Sequence, residues 1–191
     1  MVQIDETTQE VLDQDQRRIW TERCLSISAR MGSPSVTGTV SISRSRRKKI
    51  SQASIFLLTA IQPGEKVYIP VVVSVSGMTD LVYNDFYIAD GADVTIVAGC
   101  GIHNSGCNES RHDGIHTFHV GKNANVRYEE KHYGEGNGTG SRILNPVTNI
   151  ELGENSVFTL DTVQIKGVDS TVRETNVSMD ADAKLLCDGA I

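Results

Sequence analysis

The chain has 191 residues, a formal net charge of −6, 39% hydrophobic residues, 22% charged residues and only 5% aromatics. That length suits one domain, or at most two small ones, with a sizeable core, and the apolar fraction is too high for intrinsic disorder. The acidic balance offers no overall positive field to recruit phosphates, which argues against a dedicated nucleic-acid binder. The shortage of rings points to a core built mostly from Val, Ile, Leu and Ala.

Taken in chain order, residues 1–8 are acidic and have no apolar stretch behind them, which does not fit a signal peptide. Residues 5–19 (DETTQEVLDQDQRRI) are polar and helix-permissive, with Val11, Leu12 and Ile19 as a thin apolar stripe. A short helix followed by edge strands is expected over residues 1–55, with the main body over 56–191. The basic run RSRRKK at 44–49 reads as a solvated edge or loop. The most apolar run, residues 67–75, contains Pro70 and Ser74 and is far too short to span a bilayer. The four cysteines, Cys24, Cys100, Cys107 and Cys187, are too scattered for a disulfide framework. Sequons beginning at Asn108, Asn137 and Asn176 read as coincidences in a cytoplasmic chain.

From residue 21 onward β-branched residues and alternation dominate. One pattern returns: Glu65-x-Val67-x-Ile69, Ala92-x-Val94-x-Ile96, Ala124-x-Val126-x-Tyr128, Ser156-x-Phe158-x-Leu160 and Ala183-x-Leu185-x-Cys187. Its starting residues are separated by 27, 32, 32 and 27 positions. A second alternating pair precedes each: Thr59/Ile61 in the weak first copy, then Phe86/Ile88, Phe118/Val120, Ile150/Leu152 and Val177/Met179. Turn formers lie between (Ala-Asp-Gly, Gly-Lys-Asn, Gly-Glu-Asn, Asp-Ala-Asp). Each unit therefore reads as strand, tight bend, strand, with a further strand filling the remainder. Such a unit cannot bury its inward face alone, whereas stacked copies bury a continuous column. The expected fold is all-β, a right-handed parallel β-helix (β-solenoid) with a short N-terminal helical or irregular segment. An antiparallel sandwich is the competing architecture, but it does not require one motif at near-constant spacing.

All five histidines lie between 103 and 132, with Cys100 and Cys107 in the same stretch, CGIHNSGCNESRHDGIHTFH at 100–119. Thiolate and imidazole suit zinc, iron and copper, so Cys100, His103, Cys107, His112, His116 and His119 are candidate metal ligands. The spacing matches neither a zinc finger nor the H-E-x-x-H of a metalloprotease. On a strand His116 and His119 point to opposite faces. Cys100 shares parity with Val94, Ile96 and Ala98, as a packing cysteine would. The competing reading is therefore solvated loop histidines around one core cysteine.

The glycine-rich stretch YGEGNGTGS at 133–141 lacks the Gly-Lys-[Ser/Thr] end of a phosphate loop and reads as a long, flexible connection. Asp113, Glu129, Glu130 and Asp161 are carboxylates of the kind a polysaccharide-cleaving β-helix uses, with no spacing that pairs any two. A nucleophile elbow is missing. A cytosolic metal-dependent enzyme built on the His103–His132 stretch, with a carboxylate such as Asp113, is one alternative reading; a purely structural, dimerising solenoid is another.

Several longer strings resemble the SufB/SufD family of iron–sulfur cluster assembly proteins, its shorter members most. They are VYNDF at 82–86, ADVTIVAGCGIHN at 92–104, HDGIH at 112–116, VGK at 120–122, EKHYGEG at 130–136, LNP at 144–146 and QIKGVD at 164–169. The resemblance covers roughly residues 60–180. It implies a parallel β-helix and a non-enzymatic scaffold that receives iron, and sulfur from a cysteine desulfurase system, to hold a transient cluster. It also implies a SufC-like ABC-type ATPase partner and pairing with another SufB/SufD subunit or with itself as a homodimer. Family members continue through further coils and a C-terminal helical segment where the ATPase docks, and the cluster residues most associated with the family lie there. Ile191 falls within the repeat, so the chain is expected to be a shortened form. That puts ATPase docking in question, and a cluster site at Cys100, Cys107 or the histidines is a hypothesis outside the family's pattern.

Overall fold

A computed structural model describes residues 39–45, 52–59 and 66–190 of the chain. The helix expected within 5–19 lies outside the described residues. The described part is all strand and connection: β1 (Thr39–Ser45), β2 (Gln52–Thr59), β3 (Lys66–Val73), β4 (Thr79–Ile88), β5 (Asp93–His103) and β6 (Ser110–Val120). Then follow β7 (Asn125–Glu135), β8 (Arg142–Leu144), β9 (Val147–Leu152), β10 (Val157–Lys166), β11 (Glu174–Met179) and β12 (Lys184–Ala190). Strand β2 runs across the expected boundary at 55/56. No helix among the described residues is long and apolar enough to cross a membrane.

Two sheets face each other. One has the order β1-β2-β4-β6-β9-β11, with β8 also on β6; the other has the order β12-β10-β7-β5-β3. Apart from the antiparallel pairing of β1 on β2, every pairing is parallel. The chain passes from one sheet to the other and back, which is the β-solenoid expected from the repeat. The parallel register excludes the antiparallel sandwich.

The register follows the repeat from the second copy onward. Phe86 lies beside Phe118, Phe118 beside Ile150, and Ile150 beside Val177. On the other sheet Val94, Val126, Phe158 and Leu185 line up in the same way. The first copy differs. Phe56 and Leu58 pair with Phe86 and Ile88 where Thr59/Ile61 was the expected pair, Ile61 lying outside the described residues. Val67 lies beside Ile96, two residues beyond the expected Val94.

Among the described residues the separate third strand of each unit is also absent. Strands β4 to β7 run 10–11 residues each and fill the coil in two passes. Short β8 comes nearest to a third strand. It parts from β9 at Asn145 and Pro146, and Pro146 has no N–H to continue a ladder.

The bends between paired strands show why their turn formers recur. Gly91, Asn123, Asn155 and Asp182 all have positive φ, between 56° and 69°. Each is the last residue of its turn triplet, at the same place in successive coils. Asparagine and aspartate tolerate this left-handed conformation; β-branched residues do not. Asn123→Val should therefore cost about 1–2 kcal/mol, while Asn123→Gly should be nearly neutral. Urea midpoints at unchanged slope would measure both, and equal midpoints for the two variants would refute this account.

Inward residues of both sheets form the main core, including Leu58, Phe86, Val94, Ile96, Phe118, Val126, Tyr128, Ile150 and Phe158. A smaller cluster of Val73, Cys100, Ile102 and Leu144 lies towards the other end of the coil. The glycine-rich connection is stacked backbone to backbone on the preceding coil. Gly138 N donates to Asn104 O, and Gly140 N to Gly106 O, each at 3.0 Å. A Cβ on Gly140 would stand 2.0 Å from Asn108 O, so the alternate glycines permit this approach.

Candidate functional site

Inward-facing polar side chains interrupt the apolar column where the main core gives way to the smaller cluster. Strand β6 alternates strictly, which puts His112, Gly114 and His116 on its inner face and His119 on its outer face. Opposite, β5 contributes Cys100 and β7 contributes Glu130 and His132, with Cys100 and His132 adjacent in register. Cys100, His112, Gly114, His116, Glu130, His132, Leu144, Asn145 and Pro146 enclose a cleft too tight for a water molecule.

Each buried polar group has a defined tether. His112 Nδ1 donates to Asp80 Oδ2 at 2.8 Å across one coil spacing. The Asn84 amide lies 3.2 Å from His116 Nδ1, and turning that amide over would convert it from donor to acceptor. Tyr128 donates its hydroxyl to Glu130 Oε1 at 3.3 Å, and His132 Nε2 stands 3.6 Å from the same oxygen. Arg173, just before β11, donates to Glu130 Oε2 and, at 2.9 Å, to His132 Nδ1. An arginine N–H only donates, so His132 Nδ1 accepts here and the ring proton sits on Nε2, on the cluster side.

Two atoms are left over. The Nε2 atoms of His112 and His116 are buried and complete no hydrogen bond. Both border the space above Gly114: a Cβ there would lie 2.8 Å from His116 Nε2 and 3.4 Å from His112 Nε2. The missing side chain at Gly114 thus makes room for the His116 ring, and two unpartnered imidazole nitrogens face that position. Unsatisfied buried polar atoms are costly and call for an explanation such as a ligand.

The electrostatics favour a charged cluster. Burial pushes the Cys100 thiol up, but His112 and His132 outweigh it and bring the pKa down to about 7. For His112 burial opposes the charge, while Asp80 and Cys100 raise the pKa to about 10. Burial dominates at His116 and lowers it to about 4, leaving that ring neutral. Burial raises Glu130, yet its hydrogen bond to His132 and the charge of Arg173 hold it far below the usual carboxylate range. At His132 burial works against the charge, and Cys100 and Glu130 push the pKa up. That second proton competes directly with the Arg173 contact, so with Arg173 in place the ring is neutral.

Of the six candidate ligands, Cys100, His112 and His116 meet in this cluster. His103 lies at the end of β5, its Nε2 2.7 Å from Ser105 Oγ. Cys107 is exposed in the loop after β5. His119 stacks on Tyr87 at 4.4 Å on the outer face, with Nδ1 2.6 Å from Glu151 Oε2. Cys100 is buried, as its parity predicts, but packs against imidazoles as well as apolar neighbours.

His132 belongs to the histidine stretch and Glu130 to the candidate carboxylates, but neither is among the six candidate ligands; Asp80 and Arg173 were not anticipated. The 32-residue spacing held the signal for the first: from Cys100 it leads to His132. Among the described residues, no group of three or more His, Cys, Asp or Glu side chains is placed so as to hold a metal ion. The set has the donor types for a thiophilic ion or cluster. An Asp–His pair such as Asp80–His112, with Nε2 left free, is the usual way of orienting an imidazole ligand. No protein-family model, curated protein or solved structure matches this chain.

Proposed function

We propose that this protein is a cytoplasmic scaffold component of the SUF iron–sulfur cluster assembly system, acting by binding rather than by catalysis. The observation that carries the reading is the buried set of Cys100, His112, His116, His132 and Glu130, with two imidazole nitrogens unpartnered above Gly114. A thiolate available near neutral pH beside imidazoles and a carboxylate is a donor set for iron and sulfide. The strings that resemble SufB/SufD proteins are what suggests this system in particular. The partners of this reading are a cysteine-desulfurase-type sulfur donor, a SufC-like ABC-type ATPase and a second SufB/SufD-type subunit or copy.

Anaerobic reconstitution with ferrous iron and sulfide tests the proposal. The wild-type chain should gain visible charge-transfer absorption, Cys107→Ser should retain it, and Cys100→Ser should lose most of it. Equal absorption in Cys100→Ser and wild type would remove the cluster from the proposal. No absorption in any of the three would refute the scaffold reading itself.

A further inference from the structure

Arg173 is the one cation of the cluster that comes from a different coil, and its placement is built rather than incidental. The segment that carries it is fastened to the preceding coil residue by residue. Leu144 N donates to Ser170 O at 3.1 Å, Thr171 Oγ1 to Leu144 O at 2.5 Å, Val172 N to Asn145 Oδ1 at 2.9 Å, and Glu174 N to Pro146 O at 3.1 Å. Leu144, Asn145 and Pro146 are also walls of the cleft. The guanidinium is thereby aimed at the cluster from one side. Its Nη1 reaches Glu130 Oε2 and its Nη2 reaches His132 Nδ1, while 29% of the side chain stays in contact with solvent.

We infer that Arg173 is a displaceable internal counter-cation of a buried site for a thiophilic divalent metal ion formed by Cys100, His112, His116, His132 and Glu130. This rests on the reading that the cluster binds metal. Two of the five donors are withheld while Arg173 is in place. Glu130 is engaged by the guanidinium. The proton that Arg173 confines to Nε2 of His132 masks the nitrogen on the cluster side. When the guanidinium leaves, the His132 proton can move to Nδ1, and both Nε2 and the Glu130 carboxylate become available beside Nε2 of the neutral His116 and that of His112, which gives up its proton as the metal binds. A guanidinium and a divalent ion thus alternate at one carboxylate, which keeps that buried carboxylate paired whether or not metal is bound. The partial exposure of Arg173 gives it somewhere to go, since the charged head can move into water without crossing the core.

Anaerobic titration of the full chain with cobalt(II) tests the latch, read by thiolate-to-cobalt charge-transfer absorption. Arg173→Met should bind cobalt about tenfold or more tightly than wild type, the factor expected when a charge-assisted hydrogen bond no longer competes. Arg173→Lys keeps the charge but cannot fork across Glu130 and His132, so it should bind a few-fold tighter than wild type. Should Arg173→Met not fold, the lysine variant decides. Equal or weaker binding in the readable variant overturns the latch and leaves the site standing. Absence of cobalt binding in wild type and variants alike overturns the site and the latch together. Cobalt binding with the predicted order, but without iron–sulfur reconstitution, would refute the scaffold function and leave the latch intact.

Discussion

Phe118→Ala is expected to cost about 3–5 kcal/mol, the range for truncating a buried phenylalanine. Phe118 is fully buried on β6 at the middle of the solenoid. Its ring stacks on Phe86 with centroids 4.5 Å apart and planes 8° from parallel. Across the core it meets Tyr128 at 4.8 Å and Phe158 edge-on at 5.1 Å. Pairs of this kind add about 0.5–1.5 kcal/mol beyond the area they bury. Alanine would open a cavity that two facing sheets, tied by parallel ladders on both sides, have little freedom to close. Against a total stability of about 5–15 kcal/mol for a typical protein, this approaches the unfolding threshold. Phe118→Leu should cost about 1–2 kcal/mol, because most of the volume is kept. Urea unfolding of the two variants checks this, and a loss below about 1.5 kcal/mol for alanine would mean that the coil collapses onto the vacancy.

This result also bears on how far the fold could be read in advance. The aromatic shortage pointed to a core built mostly from Val, Ile, Leu and Ala, and the buried residues are mostly of these types. Within that core the few phenylalanines are concentrated: Phe56, Phe86 and Phe118 are register neighbours on one sheet, and Phe158 meets Phe118 across the core. The repeat from residue 86 onward was legible because its period is fixed by bends that need a left-handed residue at one place, and few residue types serve there. The first copy was not. Along β2 the apolar run SIFLL offers both parities, and Thr59/Ile61 mimics the motif on the wrong one, so that Phe56/Leu58 passed unnoticed. Along β3 a shift of two residues preserves alternation, and Val67 fits beside Val94 as well as beside Ile96 on pattern alone.

The site was partly legible for the same reasons. Parity placed His116 and His119 on opposite faces and Cys100 inside. What joins Cys100 to His132 is a parallel ladder between coils, visible once the 32-residue spacing is applied to polar residues as well as apolar ones. Arg173 follows from no such rule. It sits 43 residues from Glu130 and 41 from His132, off both the 32-residue and the 27-residue offset, because it approaches from a connection.

Arg173→Met is expected to destabilise the metal-free protein by about 3 kcal/mol at pH 7, the low end for breaking a buried ion pair because part of the guanidinium is already solvated. The cost falls on Glu130. Its carboxylate is buried, and without Arg173 it keeps only Tyr128 and His132 as partners. The pH dependence separates this cause from lost packing. In the wild type the Glu130 pKa is depressed below its ordinary value of 4.5. A depressed carboxyl contributes stability that is present above the unfolded-state pKa and is lost as pH falls through the folded-state value. The wild type should therefore lose this contribution progressively below about pH 4.5. In Arg173→Met the depression is smaller, so there is less to lose, and the two stability curves should converge as the solution is acidified. Urea midpoints at pH 7, 5 and 3.5 would test it. A gap that stays constant across that range would place the effect of Arg173 in packing rather than in its charge on Glu130, and with it would go the reason to regard the guanidinium as holding the place of a metal ion.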